Sequence, residues 1–198
     1  LCHLRNENIV VEAGNTEFVC YDGVLYSADM TRAIKEYAAT GDYVMPVSVV
    51  EIDPYAFYQA NDIDSAVISP NVTSVSYYAF ADCQSLEEVV ITDGIESIED
   101  WAFVACSNLE NITLSNELRY IGREVFVASA ISEIDLPDSL VSMDSYTFAE
   151  CQKLAKVDLG TGITTCKTTI AYIHKDNLNI RLRHAQKPPA RNLQPLRN

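Results

Sequence analysis

Residues 86–109 read LEEVVITDGIESIEDWAFVACSNL, from Leu86 to Leu109. Their apolar and small positions are Leu86, Val89, Ile91, Ile95, Ile98, Ala102, Phe103, Cys106 and Leu109, and the same spacing recurs on both sides. Phe57, Phe80, Phe103 and Phe126 stand 23 residues apart, and Phe148 follows at a step of 22. A fixed period in the twenties predicts a solenoid, in which each coil buries its apolar face only against its neighbours.

Aligned on the phenylalanine, the coils match at four upstream positions. Five residues before it stand Ile52, Val75, Ile98, Ile121 and Met143; eight before it, Val49, Val72, Ile95, Leu118 and Leu140. Twelve before it come Met45, Ile68, Ile91, Leu114 and Leu136, and two further back Tyr43, Ala66, Val89, Ile112 and Ile134. Ile63, Leu86, Leu109 and Leu154 follow the phenylalanine by six, whereas Ile131 comes one residue early. That single deletion accounts for the step of 22.

Ile112-Thr-Leu114 and Ile134-Asp-Leu136 alternate apolar and polar, which predicts a short strand with one buried face. Pro46, Pro70 and Pro137 follow such strands and stop them. Ile95-Glu-Ser-Ile98, leading to Ala102-Phe103, is too short for a long helix. It predicts a turn with a second extended or single-turn segment.

The unit Leu-x-x-Val-x-Ile-x-x-x-Ile-x-x-Ile-x-x-x-Ala-Phe-x-x-Cys-x-x-Leu resembles the leucine-rich repeat of the BspA type, found in surface proteins of Bacteroides-like bacteria. The resemblance covers roughly Tyr43 to Leu159. Gly14-Asn15 through Asp22-Gly23-Val24-Leu25-Tyr26, with Tyr37 and Tyr43-Val-Met-Pro46, is similar to a longer, hairpin-bearing repeat of the same family. Val24–Tyr26 and Ala33–Tyr37 are the strand candidates of that hairpin, around a polar turn from Ser27 to Thr31. Ile180-Arg-Leu182 before Pro188-Pro189 is similar to the exit of such arrays.

The expected fold is a strand-rich, α/β-type repeat solenoid forming one domain over residues 1–198. Residues 1–42 are its long hairpin-bearing repeat, 43–159 its regular coils, 160–189 a C-terminal capping repeat and 190–198 a tail. In the sixth coil Val157, Leu159, Ile163 and Cys166 keep the register, while Ala171-Tyr172 falls one residue late for the Ala-Phe pair.

The net charge is −14, and residues 181–198 hold five of the 14 bases and none of the 28 acids. The remainder carries nine bases against 28 acids, which argues against a nucleic-acid partner. The basic end reads as a solvated tail. No stretch is long and apolar enough to span a membrane as a helix, and no signal peptide is visible. An extracellular or bacterial cell-surface location is what the resemblance implies.

Cys83, Cys106 and Cys151 each follow a ladder phenylalanine by three residues, where other coils have Ala60 and Ser129. They read as small, buried, free thiols. Cys166 takes the place of Ile98 and Ile121. Cys2 and Cys20 lie outside the array, and the sequence leaves open whether they are bridged.

His3, His174 and His184 have no metal-ligand spacing, and neither a phosphate loop nor a nucleophile elbow is present. The chain reads as a non-enzyme with no cofactor, so function is expected on a surface. Two surfaces qualify. The first is the sheet face, where Val44, Val67, Val90, Thr113, Asp135 and Asp158 stand between core positions and Glu88 and Glu133 lie two residues earlier. It is apolar at one end and acidic at the other, and fits an extracellular or cell-surface protein partner. The second is a row two residues before each phenylalanine: Tyr55, Tyr78, Trp101, Glu124 and Tyr146. These rings fit a glycan, or simply stack on one another. The resemblance implies an adhesin-like binding role; a structural spacer is the third reading.

Overall fold

The computed structural model describes residues 11–12, 14–166 and 179–182. Three antiparallel strands come first, β1 (Phe18–Tyr21), β2 (Val24–Ser27) and β3 (Arg32–Glu36). The polar turn between β2 and β3 is organised by Asp29, whose carboxylate accepts hydrogen bonds from the Ser27 and Thr31 hydroxyls at 2.7 and 2.8 Å. Those bonds hold its acid down to about 2. The hairpin of β2 and β3 matches the expectation; β1 is an additional strand that the repeat pattern did not reveal.

Beyond the hairpin the strands alternate between two walls. The first wall takes β4 (Gly41–Val44), β6 (Ile63–Val67), β8 (Glu88–Val90), β10 (Asn111–Thr113), β12 (Glu133–Asp135), β14 (Lys156–Leu159) and β16 (Asn179–Leu182). The second takes β5 (Glu51–Ile52), β7 (Ser74–Val75), β9 (Ser97–Ile98), β11 (Tyr120–Ile121), β13 (Ser142–Met143) and β15 (Thr165–Cys166). Pairing within each wall is parallel and in the repeat register, as in Ser65↔Glu88↔Asn111 and Ser97↔Tyr120↔Ser142. β3 pairs in parallel with β5, so the hairpin and β5 form one sheet at the start of that side, and the paired second wall begins at β7.

The third side of the coil holds no helix among the described residues. It is a turn in which two residues per coil, four apart, have left-handed backbone. Tyr55, Tyr78, Trp101, Glu124 and Tyr146 have φ of 54–62°, and Gln59, Asp82, Ala105, Ala128 and Glu150 have φ of 59–61°. In the Phe103 coil, the N–H groups of Trp101, Phe103 and Ala105 donate to Arg123, Val125 and Val127 of the next coil at 2.8–3.2 Å. The intervening Ala102, Val104 and Cys106 donate back to residues three earlier. The alternation satisfies every N–H of the turn and builds a third hydrogen-bonded wall without a strand.

Inside the three walls runs the apolar column. The five ladder phenylalanines are at most 1 % exposed, and successive rings stack with centroids 4.6–5.9 Å apart. Cys83, Cys106 and Cys151 are free and buried, and each thiol donates to the carbonyl of the preceding coil's phenylalanine at 3.0–3.1 Å. Cys20 is disulfide-bonded; Cys2 lies outside the described residues, as do the late Ala171-Tyr172 pair, most of the expected capping repeat and the tail.

The deletion before Ile131 has a local consequence. No pairing joins β10 to β12, so the first wall divides into β4-β6-β8-β10 and β12-β14-β16 while the second stays continuous from β7 to β15. Ile112 and Leu114, expected in the core, are only partly buried there. Lys153 reaches across the shortened coil to Glu110, with Nζ 2.6 Å from Oε1.

Candidate binding faces of the solenoid

The first wall presents alternate residues outward, because side chains along a strand alternate between faces. Tyr43, Ala66 and Val89 turn into the column, and Val44, Val67 and Val90 turn out. Val44 is 61 % exposed, Val67 and Val90 are half-buried, and Thr113 and Asp135 are exposed. Parallel register aligns Val44, Val67 and Val90, at the roughly 4.8 Å interval of paired strands.

At the acidic end of this face one lysine is shared by three acids. Lys156 Nζ lies 3.0 Å from Asp158, 3.5 Å from Asp135 and 3.7 Å from Glu133. Hydrogen bonding to Asp158 pushes the Lys156 ammonium up, and the same bond holds the Asp158 carboxyl down. Arg181 of β16 stands beside Asp158 in register. Glu88 is different: it is exposed beside the valines, as are Glu87 and Asp64, and none of the three forms an ion pair among the described residues. Sequence reading placed the charge at the far end because it did not pair Lys156 with its three acids.

The aromatic row is also assembled as expected. Tyr55 stacks on Tyr78 at 5.0 Å and Tyr78 on Trp101 at 5.5 Å. Glu124 does not interrupt the row. The Arg123 guanidinium lies 5.6 Å from the Trp101 centroid and 5.9 Å from that of Tyr146, and so continues the stack. Tyr77 and Tyr58 pack edge-on against Tyr55 at 5.7 and 5.9 Å. Tyr58, Tyr77 and Arg123 are absent from the expected site because they lie one or three residues off the row. The outer edges of Tyr55, Tyr58, Tyr77 and Tyr146 remain exposed, whereas Tyr78 and Trp101 each have a neighbour over both faces. A shallow hollow of about 350 Å³ follows, lined by Arg123, Glu124, Val127, Tyr146, Ala149 and Glu150.

Residues 40–178 match the family model of the BspA type leucine rich repeat region, in six copies. The chain belongs to this family. Among solved structures, this BspA-type solenoid is similar to a Treponema pallidum leucine-rich repeat protein, at 27 % identity and a TM-score of 0.64, over 66 % of this chain and 64 % of that one. A leucine-rich repeat protein from Bacteroides ovatus matches at 20 % identity and a TM-score of 0.56, over 81 % of this chain and 49 % of that one. A leucine-rich cell surface protein from Faecalibacterium prausnitzii matches at 21 % identity and a TM-score of 0.51, over 81 % and 48 %. The last two likenesses show the fold alone. The BspA-type chain thus spans about half to two thirds of the length of these solved relatives. No curated protein matches it.

Among the described residues of the BspA-type solenoid no three His, Cys, Asp or Glu side chains are grouped to hold a metal ion. No helix among the described residues is long and apolar enough to cross a membrane.

Proposed function

We propose that this chain is the macromolecule-binding part of a bacterial surface or secreted protein, and that it holds a protein partner on the outer face of its first wall. The observation that carries this reading is the aligned strip of an exposed Val44 with half-buried Val67 and Val90, outward-facing apolar side chains on a rigid parallel sheet. Exposed apolar strips of this kind mark contact surfaces, and a sheet whose backbone bonds run from coil to coil binds with little ordering cost. Similarity to a leucine-rich cell surface protein and to the pneumococcal vaccine antigen PcpA supports a location outside the cell.

A pull-down from extracellular matrix and mucosal extract tests the reading, with wild type beside a Val67→Ser/Val90→Ser variant. A partner held by wild type and released by the variant is expected; equal capture by both sinks the sheet-face reading. A glycan module on Tyr55, Tyr78, Trp101 and Tyr146 is the second reading, favoured by the exposed ring edges of Tyr55 and Tyr146. The covered faces of Tyr78 and Trp101 weigh against it, because sugar stacking uses ring faces. A glycan array with wild type and Trp101→Ala decides: hits lost in the variant would establish it.

A further inference from the structure

We infer that the partner seated on the valine strip is a basic protein segment, with apolar side chains over Val67 and Val90 and lysine or arginine over Asp64, Glu87 and Glu88; this rests on the sheet-face reading above. The argument starts from which charges are already satisfied. Glu133, Asp135 and Asp158 share Lys156, and Glu110 is bound by Lys153. Asp42 accepts the Ser65 hydroxyl at 2.7 Å. Asp64, Glu87 and Glu88 are exposed and carry no ion pair among the described residues; Glu88 shares the outward face with Val90, and Asp64 and Glu87 each stand three residues before a valine of the strip. The negative potential of the face therefore concentrates at its apolar part rather than at its acid-rich end.

The register makes this concentration unfavourable in the free protein. The N–H of Glu87 donates to the Asp64 carbonyl and that of Glu110 to the Glu87 carbonyl, both within 3.0 Å, so three acids face one another across adjacent strands. Like charges directly opposed across strands are destabilising. Only the Glu110 end is relieved, by Lys153. A basic partner relieves the other two, and an acidic one meets added repulsion; charge complementarity of this sort sets partner choice and association rate.

Fluorescence titration with two synthetic strand peptides tests the inference, one alternating Lys and Val and one alternating Glu and Val. Wild type is expected to bind the Lys-Val peptide, more weakly by about tenfold as salt rises and screens the exposed pairs. It is expected not to bind the Glu-Val peptide. Asp64→Asn/Glu87→Gln/Glu88→Gln should weaken Lys-Val binding by about tenfold and flatten the salt dependence. Val67→Ser/Val90→Ser should weaken it while keeping the salt slope. Equal binding of both peptides, no binding of either, or indifference to the triple neutralisation overturns the inference. If the valine variant binds like wild type, the sheet-face reading fails as well; if the valines matter and the three carboxylates do not, only the charge inference fails. Self-association of wild type in sedimentation, abolished by the valine change, would replace the basic partner with a second copy. Circular dichroism melts of each variant confirm that the fold is retained.

Discussion

Arg123 occupies the ring position that Glu124 leaves empty in the aromatic row, and Glu124 is the residue that holds it there. Glu124 Oε1 accepts from Arg123 Nε at 2.8 Å, while Oε2 accepts from the Trp101 indole N–H at 3.0 Å. One carboxylate thus aligns a guanidinium and a ring so that they stack. Arg123→Ala should cost about 1 kcal/mol, the scale of an exposed cation–π contact, with its half-exposed ion pair adding little. A double-mutant cycle with Tyr146→Ala checks it: a coupling of zero would mean that the guanidinium only lies near the ring.

Phe103 has a phenylalanine stacked on each face, Phe80 at 5.4 Å and Phe126 at 5.9 Å, and is fully buried. Phe103→Ala should destabilise by about 3–5 kcal/mol, whereas Glu88→Ala, at an exposed and unpaired site, should stay within about 0.5 kcal/mol. Urea denaturation compares the two. Equal effects would mean that the column does not hold the coils together.

Ala105 and Ala128 sit in left-handed backbone at φ of 61° and 60°. That conformation costs a residue with a Cβ about 1–2 kcal/mol, while glycine adds about 0.5–1 kcal/mol of unfolded-chain entropy. Ala128→Gly is therefore expected to be neutral or stabilising by up to about 1 kcal/mol. Ala102→Gly, at a buried position with negative φ, should destabilise. Thermal melts that rank the two the other way would contradict the alternating-turn geometry.

The Tyr26 and Tyr43 hydroxyls bond to each other in the core beneath the hairpin. Burial pushes the Tyr26 phenol up to about 12 and raises that of Tyr43 as well. A phenol raised in the folded state leaves stability intact below its ordinary value of 10.0 and removes it as pH climbs toward 12. Wild type should therefore lose stability steeply above pH 10, and Tyr26→Phe/Tyr43→Phe less steeply. Denaturation midpoints across that range measure it, and parallel slopes would refute the assignment.

Much of this was legible in the sequence, for a definite reason. The ladder phenylalanines, Ile98 and its equivalents, and the small residue three after each phenylalanine repeat because each meets its own copy in the next coil. Identity at a fixed step is therefore a direct record of contact. What escaped was chemistry between unlike positions. Lys156 gathers three acids from two adjacent strands, and Arg123 substitutes for a ring one residue away. The left-handed turns escaped too, because Trp101, Ala105 and Ala128 are not residues that announce positive φ. Their conformation is imposed by the coil-to-coil hydrogen bonds rather than by local preference.

The missing residue before Ile131 makes the interface between the fourth and fifth coils unlike the others. Between the Phe57 and Phe80 coils the first wall is paired while β5 and β7 are not; from the Phe80 coil onward neighbouring coils are otherwise tied along the first wall as well as along the second wall and the turn, and here the first-wall tie is absent. In a chain whose stability is a sum of nearest-neighbour terms, such a junction is where cooperativity is lowest. Pulled from its ends, the solenoid should part there first. A protein anchored at one end and gripped at the other would then behave as two stiff rods joined by a compliant segment, yielding to tension before either rod unravels.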